Sequence, residues 1–169
     1  MSLVATRLAA IKPSPTLAVS AKAAQLKSEG KDIIGLGAGE PDFDTPQFIK
    51  DAAVEAMKKG LTKYTPAGGT VSLKKAIIAK FKRDNGLDYT PKQVLVSCGG
   101  KHTSFNLCLA LLNPGDEVII PAPYWVSYPD MAVVAEAKPV FITAGIEQGF
   151  KITAAPLEAA ITPKSRLIF

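Results

Sequence analysis

Apolar residues recur every three or four positions along several stretches of this chain, which is the spacing of amphipathic helices. One predicted helix has Thr45 as its N-cap and Pro46 as its first residue, and it stops at Gly60. Another runs from near Thr70 to Gly86. The stripe that we expect this second helix to bury consists of Leu73, Ala76, Ile77 and Phe81.

Four more stretches are predicted to be helical. Segment 101–112 is apolar on almost every side, which predicts a helix that is buried around most of its circumference. Segment 19–29 is followed by a stop at Gly30, segment 125–135 is interrupted by Pro129, and segment 156–161 is short. Helices therefore account for much of the chain.

Short runs rich in β-forming residues lie between the helices. They are Ile33–Leu36, Gln93–Cys98, Glu117–Pro121, Lys138–Thr143 and Arg166–Phe169. The continuous apolar triplets at 94–96 and 118–120 are typical of strands covered on both faces. From residue 93 onward strands and helices alternate, so we predict an α/β fold with a mostly parallel sheet flanked by helices.

Composition excludes several classes of protein. The chain of 169 residues is 47% hydrophobic and 21% charged, as in ordinary globular proteins, and no apolar run approaches the roughly 18 residues that span a bilayer. We therefore expect no membrane protein. The net charge of +5 rests on 17 Lys against three Arg, without interleaved aromatic residues, so we do not expect nucleic-acid binding. Two cysteines and one histidine predict a reduced, cytoplasmic protein with no metal site.

The strongest candidate for chemistry is the segment Ser97-Cys98-Gly99-Gly100-Lys101-His102, where a predicted strand passes through two glycines into a helix. Unpaired N–H groups and the positive end of a helix form an anion site, and glycines allow a phosphate to approach the backbone. The segment is neither a Walker A loop nor a GxGxxG fingerprint. A glycine-rich turn without a ligand is the alternative for this motif by itself.

Three other segments can bind parts of a ligand. The glycine-dense loop 35–46 can present N–H groups to a carboxylate, or it is only a connector. Segment 121–129 follows a strand end and holds the single Trp with two Tyr, which favours stacking on a flat ring over plain core packing. Tyr64, within 63–69, has a phenol that can donate a hydrogen bond to a phosphate.

Taken in this order, the four segments resemble the fold-type-I aminotransferases that use pyridoxal 5′-phosphate, in particular the class I branch of bacterial aspartate and prephenate aminotransferases. The resemblance implies that Gly99, Gly100 and Lys101 bind the cofactor phosphate. It implies that Trp125 stacks on the pyridine ring and contributes to the substrate site, and that Gly39 donates its N–H to the α-carboxylate of the substrate.

The resemblance also implies a homodimer, in which Tyr64 reaches the phosphate of the neighbouring subunit, and a substrate contact for Lys12. Amino acids and 2-oxo acids are then the substrates. Residues 1–45 would form an N-terminal arm and small-domain element, and residues 46–169 the first part of the large cofactor-binding domain. His102 stands where glutamine is common in this family.

No lysine of this chain matches the family's Schiff-base motif, and we expect that catalytic lysine beyond Phe169. The 169-residue chain would then be an N-terminal portion that is inactive alone. Alternatives are a related class I enzyme acting on alanine, aromatic amino acids or kynurenine, a lyase-like relative, and a catalytically incomplete phosphate-binding remnant or assembly module that needs a second chain. A nucleotide-binding domain is less favoured, because no acidic residue follows a second strand in a matching glycine fingerprint. A Cys98–His102 nucleophile pair is less favoured because a strand-end cysteine is usually buried.

Overall fold

A computed structural model of the protein describes residues 3–169, which form two compact units. The first unit contains the described residues up to Ile34 together with Cys98–Phe169, and the second is Gly35–Ser97. The regular elements, in chain order, are α1 (Pro15–Ser28), α2 (Gln47–Lys58), α3 (Val71–Asn85), α4 (Gly100–Leu111), β1 (Glu117–Ala122), α5 (Ser127–Val134), β2 (Lys138–Thr143), α6 (Ala154–Ala160) and β3 (Ser165–Ile168). Short 3-10 turns lie at Thr6–Ala10, Pro91–Gln93 and Ile146–Gln148.

The first unit is built on a parallel sheet with the strand order β2-β1-β3. Ile119 at the centre of β1 lies opposite Val140 of β2 and Ile168 of β3. Side chains of β1, α4 and α5 form the core, with Val118, Ile120 and Cys108 fully buried. The predicted α/β class and parallel sheet are confirmed.

The second unit holds α2 and α3 with their connecting loops. The Thr70 hydroxyl caps α3 by accepting the Leu73 N–H at 3.3 Å, and Gly86 ends α3 in the left-handed conformation, as predicted. The predicted stripe of α3 is not buried, since Leu73 is 45% exposed and Ile77 and Phe81 are only partly covered. No side chain of residues 35–97 is buried.

Two predicted strands are absent from the described residues. The runs Ile33–Leu36 and Gln93–Cys98 are not in strands, although β-forming residues fill both. A strand requires a neighbour that pairs with its N–H and C=O groups, and β-propensity supplies no neighbour. Among the described residues, segment 94–97 makes one backbone hydrogen bond to another part of the second unit, in which the Val96 N–H donates to the Gly68 carbonyl at 3.1 Å.

Three helix predictions need correction. The helix α4 is not buried on most sides, because among its residues only Cys108 is buried. The helix α2 begins one residue later than predicted, since Pro46 is extended, its carbonyl accepts the first helical bonds, and the Thr45 side chain makes no cap. Pro129 does not interrupt α5, because it lies in the first turn, where an N–H has no helical acceptor.

Helices long and apolar enough to cross a membrane do not occur among residues 3–169.

Candidate anion and ring site

The glycine pair at 99 and 100 forms the start of α4. Gly99 is the N-cap with φ +91° and ψ 163°, a backbone region that is essentially restricted to glycine, and Gly100 is the first helical residue. A Cβ atom added at either glycine would meet no heavy atom within 4 Å. The junction therefore lies at a helical start, as predicted, and its backbone is open to a ligand.

Three backbone N–H groups at this helix end have no acceptor within the helix. The first bond of α4 runs from the Thr103 N–H to the Gly99 carbonyl at 3.2 Å, and the Thr103 hydroxyl is 3.4 Å from the same oxygen. The N–H groups of Gly100, Lys101 and His102 precede that bond. Together with the positive end of the helix dipole, they form an arrangement that favours an anion.

A cation and an aromatic ring lie next to this helix end. The Lys101 ammonium is 4.8 Å from the centroid of the Trp125 ring, which is within the range of a cation–π contact. Trp125 is 43% exposed and follows the carboxyl end of β1, where ligands of open α/β sheets bind. The structure thus brings four of the predicted site residues, Gly99, Gly100, Lys101 and Trp125, into one region.

Other aromatic residues hold Trp125 in place. The Tyr128 ring meets Trp125 edge to face at 5.5 Å and stacks on Phe169 at 4.3 Å. The Tyr128 N–H also donates to the Trp125 carbonyl at 3.0 Å, which fixes the chain where it enters α5. These contacts restrict the orientation of the indole, while one part of its surface stays exposed.

A cavity of about 480 Å³ lies between α4 and α5. Residues from both helices line it, among them Lys101, His102 and Phe105 of α4 and Ser127, Asp130 and Met131 of α5. The sequence indicated Lys101 and His102, and it placed Ser127 within the candidate segment 121–129 without giving it a role. Asp130 lies outside the candidate segments, so the sequence gave no signal for it. The cavity continues from the site along the side of α4, and its walls are mostly apolar.

Cys98 and His102 interact, but not as a nucleophile pair. The backbone N–H of Cys98 donates to His102 Nδ1 at 3.1 Å, so the bond uses the main chain and not the thiol. Cys98 is exposed, so our expectation of a buried cysteine at that position is wrong. Cys108 is the buried cysteine, and burial raises the pKa of its thiol, which keeps the sulfur protonated and unreactive.

The remaining predicted site residues lie elsewhere. Lys12 is an exposed residue of the first unit, between the first 3-10 turn and α1, and no hydrogen bond or ion pair of its side chain is found among residues 3–169. Gly39 and Tyr64 belong to the second unit, where both are exposed. Their assigned roles stay predictions.

The carboxylate of Glu117 is at the opposite end of β1 from this site. Its oxygens accept the Thr162 hydroxyl at 2.7 Å and the Lys138 ammonium at 3.1 Å, and these bonds, in that order, hold the pKa of Glu117 below its usual range. Its partners follow α6 and begin β2, so the residue joins the starts of the strands. It has a structural role and takes no part in the site.

The chain is similar to known proteins over most of its length. A family model described as aminotransferase class I and II matches residues 31–169. An aspartate/prephenate aminotransferase of Nitrosomonas europaea is 68% identical over 161 residues, which is 95% of this chain and 41% of that protein. An aspartate aminotransferase of Bacillus sp. is 55% identical over 98% of this chain and 42% of its own length.

The chain also superposes on solved structures. An aspartate aminotransferase from Rhizobium meliloti superposes with a TM-score of 0.94 at 50% identity, and one from Thermus thermophilus with maleate at 0.95 and 46%. Each match covers 99% of this chain and 42% or 44% of the other chain, so this chain spans well under half the length of its relatives. The fold is that of fold-type-I aminotransferases, and the chain belongs to the aminotransferase class I and II family.

Proposed function

We propose that this chain supplies the phosphate-binding end and one ring face of a pyridoxal 5′-phosphate site in an aspartate-type aminotransferase. The observation that carries the proposal is the open start of α4, where Gly99 takes a glycine-only conformation and the Lys101 ammonium lies 4.8 Å from the Trp125 ring. An anion site directly beside an aromatic surface suits a ligand that is both a phosphate ester and a flat ring.

The residues present fit that cofactor by their chemistry. The N–H groups of Gly100, Lys101 and His102 are donors for phosphate oxygens, and the Lys101 ammonium adds a positive charge. The exposed part of Trp125 offers a surface for a pyridine ring. When bound, pyridoxal phosphate supplies an electron sink for reactions at the α-carbon of an amino acid. This chain's own contribution is to bind and orient the phosphate and the ring.

The proposed reaction transfers the amino group of aspartate, or a similar amino acid, to a 2-oxo acid. Support comes from the relatives, which are named aspartate and aspartate/prephenate aminotransferases, and from the Thermus structure with maleate, a four-carbon dicarboxylate. In this proposal Gly39 donates its N–H to the substrate α-carboxylate, and Trp125 and Lys12 contribute to the substrate site. The exposed Tyr64 reaches the phosphate of a second subunit in a homodimer, and the cytoplasm is the proposed location.

The proposal assigns no catalytic base to this chain. None of its 17 Lys occupies the position of the lysine that this family joins to the cofactor, so the chain is expected to bind but not to turn over substrate. The measurement is oxaloacetate formation from aspartate and 2-oxoglutarate with purified chain and added pyridoxal phosphate. Turnover above that of the free cofactor, in the absence of any second chain, contradicts this part of the proposal.

Cofactor binding is tested with 4′-deoxypyridoxine 5′-phosphate, which keeps the ring and phosphate but has no aldehyde to react with surface lysines. We expect saturable binding, followed by quenching of the single Trp. Lys101→Ala removes a charge-assisted contact and should weaken binding about 5- to 10-fold. Gly99→Ala strains the N-cap by about 1–3 kcal/mol and should weaken binding at least as much.

The control for Lys101→Ala is Lys151→Ala, which removes an exposed lysine of the same unit outside this site. It should bind like the unmodified chain. Equal losses in the two lysine variants would mean that net charge alone attracts the phosphate. Binding of 4-deoxypyridoxine without its phosphate should be much weaker, and equal affinity for both compounds would contradict the phosphate site.

A second candidate function is a module that acts only when assembled with another chain. Large apolar side chains of α2 favour it, since Phe48, Ile49 and Met57 are all about half exposed or more. Light scattering, which measures the molar mass in solution, distinguishes a chain that functions alone from a module that needs a second chain. Self-association that disappears on adding the remainder of a homologous aminotransferase, with recovery of activity, supports the assembly module.

A further inference from the structure

We propose that His102 is a positioning residue, which accepts the Cys98 N–H and so holds the backbone at the start of α4 in the conformation that binds a phosphate. This inference rests on the proposed function, because it concerns the same anion site. The observation behind it is the 3.1 Å bond from the Cys98 backbone N–H to His102 Nδ1.

The position of His102 in the helix explains how it can act on the turn. His102 is the third residue of α4 after the N-cap Gly99, and in a capping box the side chain at this place folds back onto a backbone N–H before the helix. Here the side chain reaches Cys98, one residue ahead of the N-cap. The bond therefore closes a loop around the two glycines.

This bond matters because the backbone of glycine has more conformational freedom than that of any other residue. Gly99 has φ +91°, which glycine adopts without steric cost, and its Cβ position has no neighbour within 4 Å, so side-chain packing does not hold it. Two bonds across the turn do: Thr103 N–H to Gly99 O on the helical side, and Cys98 N–H to His102 on the other. Loss of the second bond frees the residue that leads into the N-cap.

The bond also determines which nitrogen of the neutral imidazole carries the proton. Since Nδ1 accepts a hydrogen bond, the neutral ring carries its proton on Nε2. Asn is the matched substitute, because its Oδ1 occupies the place of Nδ1 and accepts the same N–H, whereas Leu has similar bulk and no acceptor. His102 is exposed, so neither change disturbs the buried core.

The experiment compares the unmodified chain with His102→Asn and His102→Leu. Affinity for 4′-deoxypyridoxine 5′-phosphate should fall about 3- to 10-fold in His102→Leu and stay within about twofold in His102→Asn, the range expected for one hydrogen bond. Proton exchange of the Cys98 amide, measured by NMR without ligand, should be faster in His102→Leu only. The ¹⁵N shifts of the ring in the unmodified chain should show a hydrogen-bonded, unprotonated Nδ1.

The outcomes separate the inference from the proposed function. If the unmodified chain binds the analogue and His102→Leu binds it equally well, His102 has no positioning role, although the proposed function stands. Equal loss in the Asn and Leu variants also overturns the inference, since the acceptor is then not what matters. If the unmodified chain fails to bind at all, the proposed function falls, and the role of His102 in it falls too.

Discussion

Two triplets of this chain both consist of three consecutive aliphatic residues, but one is buried and the other is largely exposed to solvent. Val118-Ile119-Ile120 lies in β1, where Ile120 is 0% exposed and strands pair on both sides. Val94-Leu95-Val96 has the same continuous pattern, yet Leu95 is 68% exposed and the described residues place no strand there. A hydrophobic pattern indicates which side chains of a segment could be buried. Whether they are buried depends on the helices and strands that pack against the segment.

The difference extends to the units around the triplets. In the first unit, α4, α5 and the sheet meet in a core that includes Cys108, Val118, Ile120 and Met131. In the second unit α2 and α3 have well-defined ends, but no residue of 35–97 is buried. Local signals such as a Thr cap and a Gly stop are sufficient to define a helix, whereas burial requires contacts distant in sequence.

The largest expected contrast is between Ile120→Ala and Leu95→Ala. Truncating Ile120 leaves a cavity in the core and should lower the free energy of unfolding by about 2–5 kcal/mol. Truncating Leu95 removes mostly exposed surface and should change it by less than about 0.5 kcal/mol. Urea denaturation followed by far-UV circular dichroism measures both.

Ile120→Val keeps the experiment informative if Ile120→Ala does not fold. It removes one methylene and should cost about 0.5–1.5 kcal/mol. If Leu95→Ala proves as damaging as Ile120→Ala, the second triplet is buried in solution and the contrast between the two units is wrong.

The second prediction concerns the contact, within the second unit, between Val96 and the turn at Gly68 and Gly69. Gly69 has φ +98°, and a Cβ atom there would lie 2.5 Å from Val96 Cγ2, next to the bond from Val96 N–H to Gly68 O. Gly69→Ala therefore adds backbone strain and a clash, and we expect a loss of about 2–3 kcal/mol in unfolding free energy.

Gly86→Ala is the matched control for Gly69→Ala. Gly86 also has a positive φ, of +67°, but a Cβ atom there would meet nothing within 4 Å. It should cost only about 1 kcal/mol, the strain of a left-handed residue with a side chain. Equal losses in the two variants would show that Val96 moves away freely and that segment 94–97 is not held by this contact.

Helix ends and the parallel sheet were predictable from sequence because they depend on nearby residues. Thr70 and Gly86 delimit α3 as predicted, and the alternation of strands and helices from residue 93 onward predicted the parallel order that β1, β2 and β3 adopt. The absent strand at Gln93–Cys98 and the exposure of α4 were not predictable, since both depend on which elements lie alongside. An apolar pattern carries no information about the presence of a partner.

The candidate site divides in the same way. The double glycine at the start of α4 could be recognised in the sequence because glycine is the residue that adopts backbone angles such as those of Gly99. The single Trp after a strand end suggested a surface for a ring. The bond from Cys98 N–H to His102 had no signal, since capping boxes are recognised by Glu or Gln at that place. The Lys101–Trp125 contact joins two segments 24 positions apart, which only the fold reveals.

The smallest predicted effect is on the pH dependence of stability. It distinguishes a carboxylate whose partners are far away in the sequence from one whose main partner is the adjacent residue. Glu117 in the first unit and Asp84 in the second both have a lowered pKa, Glu117 through Thr162 and Lys138, and Asp84 chiefly through Arg83. The Arg83 contact joins adjacent residues, so much of it persists in the unfolded chain. Thr162 is 45 positions from Glu117, and its contact exists only in the fold.

A folded-state pKa below the unfolded value stabilises the protein above the unfolded value, about 4.3 for glutamate, and this stability is lost as the pH falls through the folded value. Glu117→Gln should therefore reduce the loss of urea resistance between about pH 5 and pH 3, whereas Asp84→Asn should change it little. Glu158→Gln, at an exposed position of α6, should leave the pH profile parallel to that of the unmodified chain. Equal changes in the profiles of Glu117→Gln and Asp84→Asn would mean that the link between strand starts contributes no more than a contact between neighbours in the sequence.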